Sequence, residues 1–306
     1  SPELMLDNKL NDELSSAFPN AQIVGCSTSG EIQDDCLYDN SICVTAIDFE
    51  HTQVHVVSHS INQFAHCAEL AKQLVSQLPL EGLKHVLVIS DGHLVNGSEL
   101  VDGLQQYLPQ GVMATGGLAG DGVRFSQTTV WHNKRIESGL IVLVGLYGER
   151  LSVGCGSLGG WRPFGPKRLI TKSTNNVLYE LDGRPALDLY KEFLGEFASD
   201  LPASALLYPL ALQQQGEQEH VVRTILSIDE LQKSMLFAGN MPEGATCQLM
   251  HSNYEDLLDG AQLAADQAGA CFKGTPPELA ILISCVGRRL VLGQHVAFTP
   301  SNTFKW

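Results

Sequence analysis

No apolar run in this sequence approaches the roughly 18–20 residues that a helix needs to cross a bilayer. The first ten residues, SPELMLDNKL, carry neither a basic stretch nor an apolar core, so no secretory signal peptide is expected. Basic residues are scarce: 19 Lys and Arg stand against 34 Asp and Glu, giving a formal charge of −15 and a pI near 5.0. No Lys/Arg-rich stripe overrides that acidic surface, so neither nucleic acid nor a membrane is an expected partner. The eight cysteines, at 26, 36, 43, 67, 155, 247, 271 and 285, form no CxxC pair, and a structural zinc site is not expected. They read as reduced, mostly buried thiols of a cytoplasmic protein, several of them inside apolar segments such as SICVTAIDF around Cys43. The Gly-Lys-Ser/Thr of a phosphate-binding P-loop is absent as well.

What is present suffices for sizeable cores: 44% of the 306 residues are hydrophobic and 17% charged. That length suits two domains of about 100–200 residues each. The N-terminal part carries an internal repeat. Leu10, Leu14 and Phe18 recur as Leu100, Leu104 and Leu108, each 90 positions on, in an i, i+4, i+8 spacing that makes one apolar stripe of a helix ending before Pro19 or Pro109. The same offset lays QIVGCSTSGE (22–31) on GVMATGGLAGD (111–121), with Gly30-Glu31 falling on Gly120-Asp121. Apolar strands are predicted after both, ICVTAI from Ile42 and LIVLVGL from Leu140. HVLVIS (85–90) precedes the second copy and reads as a strand buried on both faces. Its counterpart in the first copy is expected to lie before residue 1.

The unit is therefore strand, helix, strand, glycine-rich turn, strand, with parallel pairing across the helix and hairpin partners after it. The fold class is α/β with mixed sheets, in two parts: 1–184, built from two repeats of about 90 residues, and 185–306. The boundary is set where VLYEL (177–181) runs through Asp182-Gly183 into a helix starting near Pro185. Strands HVVRTILSI and ELAILISC and the helix YEDLLDGAQLAADQA are predicted beyond it.

Taken in order, GCSTSGEI, TGGLAGDGVRF, GWRPFG, LDGRPALDLYKEFLG, VVRTI, PEGATCQLM and ILISCVGRRLVLGQ resemble the FIST domain, in both its N-terminal and C-terminal parts, over nearly the whole chain. The resemblance implies an intracellular sensory module that binds a small ligand and signals to another protein, and that is not an enzyme. Two ligand classes follow from it. One is haem b, as in the nitric-oxide-sensing subset that regulates a partner histidine kinase; the other is an amino-acid-like metabolite without haem. The family pattern continues after ISCVGRRLVLGQ into a helix and a further Gly-Glu-Ile turn, whereas this chain reads HVAFTPSNTFKW.

The candidate site residues admit several readings. Cys26, Ser27, Thr28, Gly30 and Glu31 suit a turn with ligand-facing amides, a ligand-lining surface, or a Cys26 nucleophile beside a base. The last makes the chain an enzyme, but the matching copy has Gly116 and Gly117 where Cys26 and Ser27 stand, and the stretch is not Gly-x-Ser-x-Gly. Gly116, Gly117 and Gly120 allow a positive φ or a close approach of backbone to ligand. Glu31 and Asp121 either satisfy backbone donors of their turns or receive a ligand amine. His51, His55 and His59 are four apart, a metal face only on a helix, and their valine neighbours argue for a strand. His93, following HVLVIS, is the expected haem ligand, with Asp91 orienting it, or else a solvated loop residue. Arg288, beside Arg289, is placed to hold a carboxylate or haem propionate, or a surface acid.

Overall fold

In the computed structural model, residues 2–6, 8–33, 36–64, 66–272 and 276–297 are described. The chain opens with α1 (Pro2–Met5), α2 (Asn8–Ala17), β1 (Val24–Cys26) and the hairpin β2 (Glu31–Gln33) and β3 (Cys36–Tyr38). There follow β4 (Gln53–Ser60), α3 (Cys67–Ser76), β5 (Leu83–Ser90), α4 (Gly97–Tyr107) and β6 (Met113–Leu118). Strands β7 (Val130–His132), β8 (Arg135–Glu137) and β9 (Leu140–Tyr147) close this half.

Its main sheet has the order β4-β9-β5-β6, with β5 and β6 parallel across α4 and β9 antiparallel to both β4 and β5. The run of Val, Leu and Ile in β5 is what a central strand covered on both faces requires. On one face α3 and α4 bury Leu70, Leu74, Leu100 and Leu104 against Val86 and Leu143. Each such leucine contributes about 1.5–3 kcal/mol relative to exposure. The two helices touch at Gly103, where a Cβ would stand 2.7 Å from that of Ala71. On the other face Val130, Leu140 and Val142 meet Val24 and Cys26, so the small sheet β1-β7-β8 lies across the main one.

The second half holds β10 (Arg162–Thr174), β11 (Val177–Leu181), β12 (Arg184–Pro185), α5 (Ala186–Leu194), β13 (Leu210–Gln213) and β14 (Val221–Arg223). Strands β15 (Ile225–Asp229), β16 (Ser234–Phe237) and β17 (Thr246–His251) precede α6 (Tyr254–Gly269) and α7 (Val286–Leu292). The antiparallel sheet runs β14-β13-β17-β10-β11-β16-β15, with β12 beside β11. Helix α5 lays Leu187, Tyr190 and Leu194 on it, and the Tyr190 hydroxyl donates to the Tyr208 carbonyl at 2.8 Å.

β10 and β11 precede the boundary expected at 184/185 yet pair with β17 and β16, so the C-terminal sheet draws strands from both sides of it. Several expectations about single segments are corrected here. ICVTAI and ELAILISC form no strand. A strand exists through its neighbour's ladder, these segments have none among the described residues, and Val44, Ile47, Ile281 and Ile283 are exposed. HVVRTILSI is broken into two strands at Thr224, and VGRRLVL, to which no element was assigned, is helix α7. Of the cysteines only Cys67 and Cys247 are buried, because the segments carrying Cys43 and Cys285 are unpaired. The repeat corresponds in part: α2 and β1 match α4 and β6 in order, but the stripe of α2 is not sunk in a core, with Leu14 half-buried and Phe18 exposed.

Two outcomes follow. Leu104→Ala is expected to cost about 2–5 kcal/mol in chemical denaturation, through lost burial and a cavity, and Leu14→Ala under about 1 kcal/mol. His85 is buried in β5 with Nε2 2.8 Å from Thr115 Oγ1 and Nδ1 without a partner, and burial lowers its pKa below 6.5, as it does for His132. Groups whose folded pKa lies below the unfolded one bind fewer protons in the native state, so their contribution is intact above about 6.5 and is lost as pH falls below it. The urea midpoint should therefore drop between about pH 7.5 and 5.5, and drop less in His85→Gln.

Candidate functional site

The stretch 22–31 divides into strand and turn. Val24–Cys26 pairs with β7, and from Ser27 the backbone turns away. Ser27 is buried; its N–H donates to the Thr129 carbonyl at 2.8 Å and its Oγ accepts from the Thr129 N–H at 3.0 Å. Thr28 Oγ1 donates to Glu31 Oε1 at 2.6 Å and accepts from the Gly30 N–H at 3.2 Å. Glu31 thus closes its own turn. Cys26 lies behind it, its thiol pushed up to about 11 by burial and then by Glu31. Both causes oppose the thiolate that nucleophilic chemistry needs.

The equivalent turn of the second copy interlocks with the first. The Gly120 N–H donates to the Ser27 carbonyl at 2.9 Å, and Ser29 Oγ accepts from the Gly122 N–H at 3.1 Å. Asp121, also buried, accepts through Oδ2 from the Ser126 and Gln127 N–H groups at 2.7 and 3.0 Å, while its Oδ1 lies 3.4 Å from His93 Nε2. Asp91 accepts from the N–H groups of His93, Leu94 and Gly139 and from the Thr128 hydroxyl, at 2.7–3.0 Å. The sites predicted at Ser27, Thr28, Gly30, Glu31, Gly120, Asp121 and His93 therefore form one continuous wall. Gly116 and Gly117 stand apart from it, in β6 rather than in a turn. A Cβ on Gly116 would lie 1.8 Å from the Val88 carbonyl of the neighbouring strand, so that glycine answers to the sheet.

Helix α7 completes the wall from the other half. Arg289 reaches Asp39 Oδ1 with Nη2 at 2.6 Å, and a Cβ on Gly30 would stand 2.7 Å from its Nη1. Gly30 has φ +133°, so its conformation as well as the arginine demands glycine. Arg288 points elsewhere: it is 8% exposed, gives Nη1 to the Leu257 carbonyl, and keeps Nη2 buried without a partner. Ile32 and Leu37 of the hairpin pack on Leu257 and Leu292 beside Trp161. Pattern reading missed Asp91's four donors, Ser29 and Trp161.

The residues about His93 do not suit a haem. Its Nε2 lies 3.4 Å from Asp121 Oδ1, its ring edge meets Phe125 (centroids 6.3 Å apart), and its N–H is given to Asp91, so two carboxylates flank it in place of an apolar slot. A shallow apolar groove lies on the C-terminal sheet, lined by Phe164, Arg168, Tyr190 and Phe193 among others, with no histidine and none of the predicted site residues. His55 and His59 stand on β4. No helix among the described residues is long and apolar enough to cross a membrane.

Residues 1–184 match the FIST N domain and residues 186–299 the FIST C domain. The chain belongs to the FIST family. FIST domains are sensory, ligand-binding domains of signal transduction, and the family is not an enzymatic one. The FIST chain is also similar to two uncharacterized proteins of Mycobacterium tuberculosis, MT0656 of strain CDC 1551 / Oshkosh and Rv0628c of strain ATCC 25618 / H37Rv. Each is 25% identical over 213 residues, covering 66% of this chain and 54% of the relative. The chain thus spans about half the length of these curated relatives. No solved structure matches it.

For the turn, Cys26→Ser should leave stability and ligand response close to wild type. Cys26 should also resist alkylation at about pH 8, read by mass spectrometry, where exposed Cys43 and Cys285 react. Gly30→Val should cost about 1–3 kcal/mol through strain and crowding, and should raise hydrogen exchange in residues 36–39 as Arg289 is displaced.

Proposed function

We propose that this FIST protein is a sensor of a small polar metabolite of the amino-acid class, bound where the turn 26–31 meets α7 and without haem. The carrying observation is Arg289, which crosses from the C-terminal half to Asp39 and passes against Gly30. An ion pair between partly exposed side chains is worth about 0–1 kcal/mol. So light a clasp responds to any ligand that binds one position of α7 better than another, and a ligand shifts such an equilibrium only by that difference. A second contact supports the reading. The loop that carries His93 runs into α4, whose first turn is hydrogen-bonded to the other half: Asn96 Nδ2 donates to Asn240 Oδ1 at 2.7 Å, and Gly97 N–H to the Ala238 carbonyl at 3.0 Å.

The test is hydrogen exchange of the whole chain with each standard amino acid in turn. At least one should change protection in residues 27–33 and 286–292 together, and Arg289→Ala should uncouple the two segments. If no amino acid alters either segment, or if added haem gives a Soret band that His93→Ala abolishes, the reading falls.

A further inference from the structure

Residues 279–284, LAILIS, lead into α7 and belong to no helix or strand. Leu279, Ile281, Leu282 and Ile283 are 44%, 54%, 56% and 59% exposed. A run of aliphatics left in water marks a contact made in another state or with another surface. Its isoleucine-rich composition is that of a strand. Strand β6 has the complementary deficit. It ends the main sheet, bonded to β5 alone, so one edge of its backbone is without a ladder among the described residues. Its Met113 and Leu118 are exposed as well. Such an edge is a template for a further strand. The segment and the edge already meet: a Cβ on Gly117 would stand 3.1 Å from Ile283 Cγ2. A glycine within a strand often marks the place where another backbone comes close.

That contact discriminates between the two directions of pairing. With Ile283 beside Gly117, a parallel strand sets Leu279 beside Met113 and Ser284 beside Leu118, so the segment spans β6 from end to end. Successive side chains then alternate between the faces. Leu279 and Ile281 lie with Met113 and Thr115, and Leu282 falls beside Gly116, so each aliphatic covers a neighbour on its own face. An antiparallel strand through the same contact carries Ile281 and Leu279 past Leu118, to Ala119 and Asp121. That stretch is taken. The Ala119 N–H donates to the Ser90 carbonyl at 2.7 Å and the Gly120 N–H to the Ser27 carbonyl at 2.9 Å. Only the parallel placement fits.

The segment is kept off the edge by its downstream anchor. Cys285 caps α7, its sulfur accepting the Arg288 N–H at 3.2 Å. Helix α7 is in turn fixed by the Arg289–Asp39 pair and by Leu292 against Ile32 and Leu37. We propose that residues 279–284 are a strap that joins β6 as a fifth, parallel strand of the main sheet when the Arg289–Asp39 pair opens. The strap rests on the sensor reading above for its trigger: a ligand that takes Arg289 from Asp39 frees α7, and the strap follows. Its output is an apolar face, presented while the clasp holds and covered once it is released. Two packings of one segment make such a switch, and the ligand's preference between them sets its amplitude.

Arg289→Ala and Asp39→Ala open the clasp from either side without a ligand. In the whole chain, each should slow amide exchange in residues 113–118 and 279–284 together by about tenfold or more, and should lower the fluorescence of the apolar dye ANS. The pair Ala280→Pro and Ile281→Pro bars the ladder whichever of the two residues donates to it. Since the segment lies in no ladder as it stands, that pair should leave the urea midpoint unchanged; added to Arg289→Ala, it should cancel both effects. No gain in protection in either clasp variant, with the exchange response of wild-type residues 27–33 and 286–292 to amino acids intact, would overturn the strap and leave the sensor standing. A gain that survives the prolines overturns the strap as well. A gain that the prolines cancel, with no response to any amino acid, would support the strap and overturn the sensor. Neither a gain nor a response would overturn both.

Discussion

Asp91 is the point from which the site is hung. It lies at the end of β5, buried, and its two oxygens accept four donors from three separate stretches: His93 and Leu94, Thr128, and Gly139 at the start of β9. Each hydrogen bond to a charged group contributes on the order of 1.5–3 kcal/mol, and a carboxylate left buried without them would cost more than it contributes. The loop after β5, the segment before β7 and the entry to β9 are thereby fixed to one another before any ligand is considered. Asp121 repeats the device on a smaller scale with Ser126 and Gln127. Much of the wall's polarity is spent on its own construction, which is why its carboxylates hold loops in place more than they address solvent.

The interlocked turns give the internal repeat its physical sense. Residues 27–30 and the segment 119–122, which overlaps their counterpart at the 90-residue offset, bond to each other through Gly120 and Ser29. Gly120 has no room for a side chain, since a Cβ there would come within 2.7 Å of Ser29 Oγ. Two copies of a turn that complement each other this way need small residues at both, and the serines and glycines of GCSTSG and ATGGLAG supply them without invoking chemistry at Cys26.

Much of this was legible in the sequence where periodicity and burial agree. HVLVIS, LIVLVGL and VLYEL are strands as their β-branched runs require, the stripe Leu100–Leu104 marks α4, and YEDLLDGAQLAADQA is α6. Legibility failed where a segment's state depends on a partner that local pattern does not name. ICVTAI and ELAILISC have strand composition and stand outside any ladder. VGRRLVL is too short for its apolar residues to show a helical period, and its start is fixed by the Cys285 sulfur accepting the Arg288 N–H at 3.2 Å. At the site, the neighbours of Glu31, Asp121 and His93 were readable as a set because the repeat aligns two of them. The partnership of Arg289 with Asp39 crosses 250 residues of chain and leaves no local trace.

Helix α4 has a divided allegiance. Its apolar stripe is sunk in the N-terminal core, but its capping residue, Asn96, which accepts from the Ser98 and Glu99 N–H groups, also gives its amide to Asn240, and Ser98 Oγ accepts from Arg223 Nη2 and the Asn240 N–H. The first turn of a helix is where unsatisfied amides concentrate, so here one half of the protein finishes a helix that the other half has begun. The two family-defined parts are consequently not independent units on a tether. The start of α4, at the end nearest the His93 loop, is shared between them.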